Sequence, residues 1–206
     1  RRVRGFNKDV GADSYRLMFF LSPPDVEDTG FLTYDYDDPD KEDDQWLYLP
    51  ALHKTKRIAG ADKSGSFMGS DFNYSDMADR EIEQYDYTLR REMKVRGHPT
   101  WLIEAVPRSE DTAEETGYSK SLLFVRQDNH VVVRAVHWVA NRDELKYFDV
   151  TDLKQIDGIW TSLEIHMTTK RGKRTEHKTV MIFHNVRYNQ DLDRSLFTVR
   201  RLEKGL

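Results

Sequence analysis

Histidines, carboxylates and serines are the side chains with which this 206-residue chain could do chemistry. Of its seven histidines, His166, His177 and His184 fall in two strand-like stretches near the end, and His137 in an earlier one. None forms an HxH or HExxH pair, the spacings that would aim two imidazoles at one zinc ion. They read as strand-surface residues, and no metal is expected. The acidic run Asp35-Tyr36-Asp37-Asp38-Pro39-Asp40-Lys41-Glu42-Asp43-Asp44 offers many oxygen ligands. A calcium loop of the EF-hand kind needs Gly at position six and Glu at position twelve, and here Asp40 and Trp46 stand there. Ser64, Ser66 and Ser70 lie in Lys63-Ser64-Gly65-Ser66-Phe67-Met68-Gly69-Ser70-Asp71, which is neither GxSxG nor a phosphate loop ending in GK[ST]. Ser119-Lys120 does not complete SxxK, and there is no cysteine to serve as nucleophile, disulfide or thiolate ligand. The residue pattern gives no catalytic constellation and calls for no cofactor.

Charge and composition narrow the classes further. Thirty-two Lys and Arg against 36 Asp and Glu leave a net charge of −4, and the basic residues are scattered. Arg1, Arg2 and Arg4 make a short terminal patch, and Lys170, Arg171, Lys173 and Arg174 a hairpin tip. Neither is the concentrated basic stripe that nucleic acid binding requires. No run of eighteen apolar residues is present, so no transmembrane helix is expected. With 38% apolar and 12% aromatic residues, a core is affordable only if strands alternate inward apolar with outward polar positions.

Period-two alternation runs through most of the chain. Strands are expected at Tyr15–Leu21, Gly30–Tyr34, Gln45–Leu49 and His53–Ile58. More follow at Tyr85–Val95, Trp101–Val106, Ser119–Arg126, Val131–Ala140, Glu144–Val150, Ile159–Lys170 and Thr175–Tyr188. Arg108–Gly117 reads as a loop, and helical turns are expected only near Tyr74–Arg80 and Asp193–Phe197. The expectation is one mainly β domain over residues 1–206. About ten or eleven antiparallel strands would form an incomplete barrel or sandwich, with short helices as a lid. Nearly thirty residues separate the strands at His53 and Tyr85, and they carry Phe67, Met68, Phe72, Tyr74 and Met77. A connection of that length usually has a function or some structure of its own, and its apolar side chains need something to cover.

Two stretches, Tyr48-Leu49-Pro50-Ala51-Leu52-His53-Lys54-Thr55-Lys56-Arg57-Ile58 and Ser64-Gly65-Ser66-Phe67-Met68-Gly69-Ser70-Asp71-Phe72, resemble the outer membrane lipoprotein-sorting proteins related to LolA and LolB. Val186-Arg187-Tyr188-Asn189 with Leu196-Phe197-Thr198 is similar to that family's C-terminal end. The resemblance implies an incomplete barrel with a helical lid over an apolar cavity, a periplasmic address, and a carrier or chaperone role toward lipid or lipoprotein acyl chains. It also implies an RND-type exporter as partner, and a signal peptide and N-terminal helix lying before the first residue of this sequence. Strand parity then nominates Leu17, Phe19, Leu21, Tyr85, Tyr87, Leu89, Met93, Trp101, Ile103, Val131, Val133, Leu163, Ile165, Met167, Val180 and Ile182 as cavity-facing. Arg57, Gly65, Ser66, Phe67, Met68, Gly69, Asp71 and Phe72 are expected to form or orient the lid connector, with Arg57 and Asp71 in polar roles. The alternative is a filled β-domain that docks on an RND-type lipid exporter and holds no lipid.

Overall fold

The computed structural model describes residues 1–38 and 41–206, so Pro39 and Asp40 of the acidic run lie outside the described residues. The chain gathers into two compact units. One comprises Arg1–Asp62, Met77–Arg80 and Asp191–Leu206, and the other Lys63–Asp76 and Glu81–Gln190.

The first unit is a five-stranded antiparallel meander of β1 (Arg2–Val10), β2 (Asp13–Ser22), β3 (Gly30–Asp35), β4 (Asp44–Leu49) and β5 (Lys54–Ile58). Strand β1 was not expected. Its RVRGFNKDV pattern keeps only Phe6, Lys8 and Val10 partly buried, so it carries little apolar alternation. Antiparallel pairing puts directly opposed residues on one face, and here Leu17 opposes Phe6 and Leu32, and Leu32 opposes Trp46. That face is filled by the end of the chain: Phe197 and Leu202 join Tyr15, Leu17, Phe19 and Leu32 in one core. Tyr15 stacks on Tyr34 at 4.2 Å between centroids, and the Tyr34 hydroxyl donates to the Phe197 carbonyl at 2.6 Å.

Helix α2 (Val199–Lys204) lies on this face, capped by Thr198, whose side chain accepts from the Arg201 amide. The helix comes so close to β3 that a Cβ on Gly30 would sit 2.5 Å from Leu202 Cδ1 and 3.2 Å from Phe19 Cε1. Leu202 is fully buried and cannot swing away. Overpacking of this kind costs about 1–3 kcal/mol. Gly30→Val should therefore lower the unfolding free energy measured with urea by that amount, through a lower midpoint at unchanged slope, whereas Gly5→Ala should not overpack, since the nearest atom to its Cβ position is Met18 Cγ at 3.9 Å.

The second unit is a seven-stranded antiparallel meander: β6 (Tyr85–Val95), β7 (His98–Pro107), β8 (Tyr118–Arg126), β9 (Val132–Val139), β10 (Leu145–Ile156), β11 (Ile159–Arg171) and β12 (Arg174–Ile182). Each strand pairs with its sequence neighbours, so both sheets are open rather than closed barrels, and the fold is mainly β with few helices. The expected last strand proves shorter, ending at Ile182, while β10 runs on to Ile156.

The expected loop at Arg108–Gly117 contains helix α1 (Glu110–Thr116) instead. Its signals are local. The Ser109 side chain accepts from the Thr112 amide at 3.1 Å, Glu110 and Asp111 sit in the positive first turn, and Gly117 closes the helix at φ 77°. Gly117 also admits the connector, since its Cβ would lie 2.9 Å from Asn73 Nδ2.

Candidate functional site

Register through the seven-stranded sheet builds two neighbouring cross-strand rungs on one face. One reads Leu89, Ile103, Leu123, Ala135, Phe148, Met167 and Thr179 from β6 to β12. It is apolar across six strands. The rung beside it reads Tyr87, Ala105, Ser121, His137, Lys146, Thr169 and His177 and is mostly polar. Since residues two apart on a strand share a face, the apolar rung is extended on its other side by Trp101, Val125, Val150, Ile165 and Met181.

The polar rung is where the connector docks. Asp71 is the anchor, its side chain 2% exposed. Thr169 Oγ1 donates to one carboxylate oxygen at 2.6 Å, and Thr179 Oγ1 and His177 Nδ1 donate to the other at 2.7 and 2.6 Å. The Asp71 amide donates back to Thr179 Oγ1 at 2.9 Å. Burial alone would raise the carboxyl's pKa. The hydrogen bonds from Thr169, Thr179 and His177 outweigh it and hold the group below the ordinary aspartate value.

Two residues on, buried Asn73 accepts from Lys146 Nζ at 2.5 Å and donates to the Thr116 carbonyl at 2.9 Å. Burial draws the Lys146 ammonium below the ordinary lysine value, although Asp76 and Asp71 oppose that shift. Asp76 accepts from the Asn73 amide at 2.7 Å and from the Tyr118 hydroxyl at 2.9 Å, and the Tyr118 ring stacks on His137. Ser121 Oγ lies 2.8 Å from His137 Nδ1, with both residues buried in the rung. Upstream, Lys63, 2% exposed, pairs with Glu115 of α1 at 2.6 Å. The connector thus steps across β11–β12, β10 and β8 in turn.

Its tip is a compact loop. Ser66 bridges Asn73, the Phe67 amide donates to the Phe72 carbonyl at 2.7 Å, and the Tyr74 amide donates to the Gly65 carbonyl. Met68 and Gly69 take positive φ at its apex, and Phe67, buried, meets Tyr74 edge-on at 5.5 Å. Asp71 and Phe72 are buried as well. Arg57 stands elsewhere, on β5, half-exposed and paired with Asp44 at 2.8 Å.

The nominated cavity residues divide between several surroundings. Tyr87, Leu89, Trp101, Ile103, Ile165 and Met167 share the face just described, and Val133 shares it by parity with Ala135; Tyr85 is buried opposite Pro107, on that same face. Val131 precedes β9 and Leu163 lies two residues before Ile165, both half-buried. Met93 departs from the expected parity. A bulge between Leu89 and Arg91 pairs it with Thr100, which puts it on the opposite face from Trp101. Val180 and Ile182 oppose His166 and Glu164, so they also belong to the other face, 44% and 55% exposed. Leu17 and Phe19 are fully buried in the first unit's filled core and Leu21 is half-buried at the end of the same strand, so none of the three stands in the seven-stranded sheet. Reading the sequence missed Asn73, Asp76, Lys146 and Tyr118, whose meeting depends on pairing between distant strands.

This fold of open antiparallel sheets is LolA-like. A LolA superfamily protein from Nitrosomonas europaea aligns with 97% of this chain and 88% of its own, at TM-score 0.66 and 18% identity. A domain from Vibrio parahaemolyticus, provisionally described as an outer membrane lipoprotein-sorting protein, aligns at TM-score 0.81 and 27% identity, covering 98% of this chain and 83% of that one. A DUF1329 family protein from Desulfovibrio piger aligns at TM-score 0.85 and 32% identity over 96% of this chain and 82% of its own. A family model described as "-like: Uncharacterized protein" matches residues 12–204. The chain belongs to the DUF1329 family. No curated protein sequence matches it. Among the described residues, no helix is long and apolar enough to cross a membrane.

Asp71 yields a test of the docking. Asp71→Asn keeps the shape and removes the charge that three donors serve, and hydrogen bonds to a charged group contribute about 1.5–3 kcal/mol. Urea unfolding should show a loss of about that size at neutral pH, with faster amide exchange over residues 65–76. A carboxyl lowered in the folded state stabilises fully above its unfolded pKa of about 3.9, and that contribution fades as pH falls through the folded value. The gap between wild type and Asp71→Asn should therefore be present above about pH 5 and close as pH falls below about 3.9.

Proposed function

We propose that this chain is a periplasmic, non-enzymatic carrier or chaperone that holds lipid or lipoprotein acyl chains for outer-membrane sorting or export. The observation that carries this reading is the apolar rung. On one sheet face Leu89, Ile103 and Leu123 are left exposed or half-buried side by side, and Phe148 lies half-buried beyond the buried Ala135, although the connector crosses that face along the polar rung beside them. A side chain serving only the core gains most when fully buried. An apolar strip left partly open retains apolar area for a ligand, and each buried methylene contributes about 0.8 kcal/mol. The lipoprotein-sorting description of the similar Vibrio domain supports the same role. An RND-type exporter is the partner we propose, on the strength of the sequence resemblance.

Catalysis is not part of this reading. Ser121 and His137 approach within hydrogen-bond distance but are 1% and 6% exposed, out of a substrate's reach. A second reading, a docking module without lipid, is favoured by the exposed Val180, Ile182 and Phe183 at the end of β12.

Native mass spectrometry of the purified chain, with organic extraction, separates the two. The carrier reading expects a reproducible lipid adduct whose occupancy falls at least tenfold in Leu89→Arg, a change at an exposed position that leaves the core intact. A clean mass that stays clean after incubation with phospholipid and acylated peptide would instead leave the docking module standing.

A further inference from the structure

An antiparallel sheet that does not close leaves a row of unpaired peptide groups along each outermost strand. Among the described residues the two sheets end on β1, β5, β6 and β12. Three of these edges are guarded by charge. Strand β1 carries Arg2, Arg4, Lys8 and Asp9, and β5 carries Lys54, Lys56 and Arg57. Strand β6 carries Asp86, Arg90, Arg91, Glu92 and Lys94, and a bulge between Leu89 and Arg91 interrupts its edge. None of the three holds more than three consecutive uncharged residues. Strand β12 is guarded in its first half only, by Arg174, Glu176 and Lys178. From Thr179 to Phe183 the chain reads Thr-Val-Met-Ile-Phe, a charge-free run in which Val180, Ile182 and Phe183 are 44%, 55% and 42% exposed. Hydrogen-bond parity decides what this edge offers. The Phe183 amide donates to the Leu163 carbonyl at 2.8 Å, so positions 183, 181 and 179 turn their peptide groups toward β11. The peptide groups of Lys178, Val180 and Ile182 therefore point away from the sheet. Thr179 and His177 also hold Asp71 through their side chains, which orders the strand before any partner arrives.

We propose that two copies of this chain pair through this edge, β12 against β12 in antiparallel register about a two-fold axis at Met181. Side chains and charge select the register. With Met181 on the axis, Val180 stands opposite Ile182 of the second copy, and Ile182 opposite its Val180. All four positions turn their peptide groups toward the partner, so they form hydrogen-bonded pairs. Their side chains lie on the sheet face away from the connector, where each now covers the other's exposed apolar surface. Lys178 falls opposite His184 of the second copy, so the ammonium faces an imidazole and not a second ammonium. A register centred on Lys178 would oppose two like charges, which is destabilising. A second copy is the occupant because the run is its own complement, with apolar residues meeting apolar residues in both halves. Such an isologous contact closes on itself and leaves no further edge of this kind to extend. A paired edge of this length is a small interface of the weak class, so the dimer is reversible. The pairing goes beyond the carrier reading and does not rest on it.

Sedimentation velocity of the full chain over a concentration series should show a monomer–dimer equilibrium. Val180→Lys, a change at an exposed position, should weaken the dimer at least tenfold. Ile182→Pro removes an outward N–H and none that β11 receives, so it should abolish pairing while the urea midpoint stays near that of wild type. The chain has no cysteine, so single cysteines read the register. Across the axis Met181 meets its equivalent in a non-hydrogen-bonded pair, with Cα atoms about 4.5 Å apart and within disulfide reach. Met181→Cys should therefore cross-link two copies under mild oxidation. His184→Cys should not, because the two equivalents would stand about 20 Å apart along the strands. A chain that stays monomeric at every concentration overturns the proposal. So does a dimer that survives both Val180→Lys and Ile182→Pro, or one that cross-links at 184 and not at 181. None of these readouts needs lipid, so their failure leaves the carrier reading untouched.

Discussion

A carboxylate removed from water is tolerable only where donors meet its charge, and this requirement at Asp71 organises the seven-stranded unit. The donors that meet it, Thr169, His177 and Thr179, stand on the two adjacent strands β11 and β12. The connector must therefore cross the sheet at that end. From there, backbone spacing carries Asn73 to Lys146 on β10 and Asp76 to Tyr118 on β8. Each contact meets a polar group in or beside the buried rung, and leaving a buried polar group unmet costs more than the bond itself gains.

The consequence for function is geometric. Because side chains alternate across a strand, a polar rung and an apolar rung can lie on one face only two residues apart. The connector occupies the first and stops beside the second. Polar satisfaction and apolar exposure are thus produced together by one register. A one-residue slip would send both rungs to the opposite face, which makes β6–β12 pairing as important to the apolar strip as any single side chain.

The two units close in different ways. In the seven-stranded unit every strand pairs with its neighbour in sequence, so the sheet assembles through local hairpins. Much of the five-stranded unit's core is supplied by residues 191–206, which reach Tyr34, Gly30 and Thr55 from the far end of the chain. Such contacts bear a loop-closure cost that local hairpins avoid.

Period-two alternation made eleven strands legible, most to within a residue or two, because alternate burial is a local property of each strand. The connector was legible through its length and its aromatic residues, and Asp71 stood out as a charge among them. Helix α1 could have been read from Ser109, Glu110, Asp111 and Gly117, whose capping chemistry is also local. Other features had no local signal. The bulge after Leu89 moved Met93 to the other face, and pairing to Glu164 and His166 put Val180 and Ile182 there too. Ser121, His137 and Lys146 became a rung only through register between strands. The sequence by itself determined where strands form and which residues are apolar. Tertiary structure decided which of those residues share a face, because hydrogen-bond register and bulges depend on pairing between segments that no local pattern encodes.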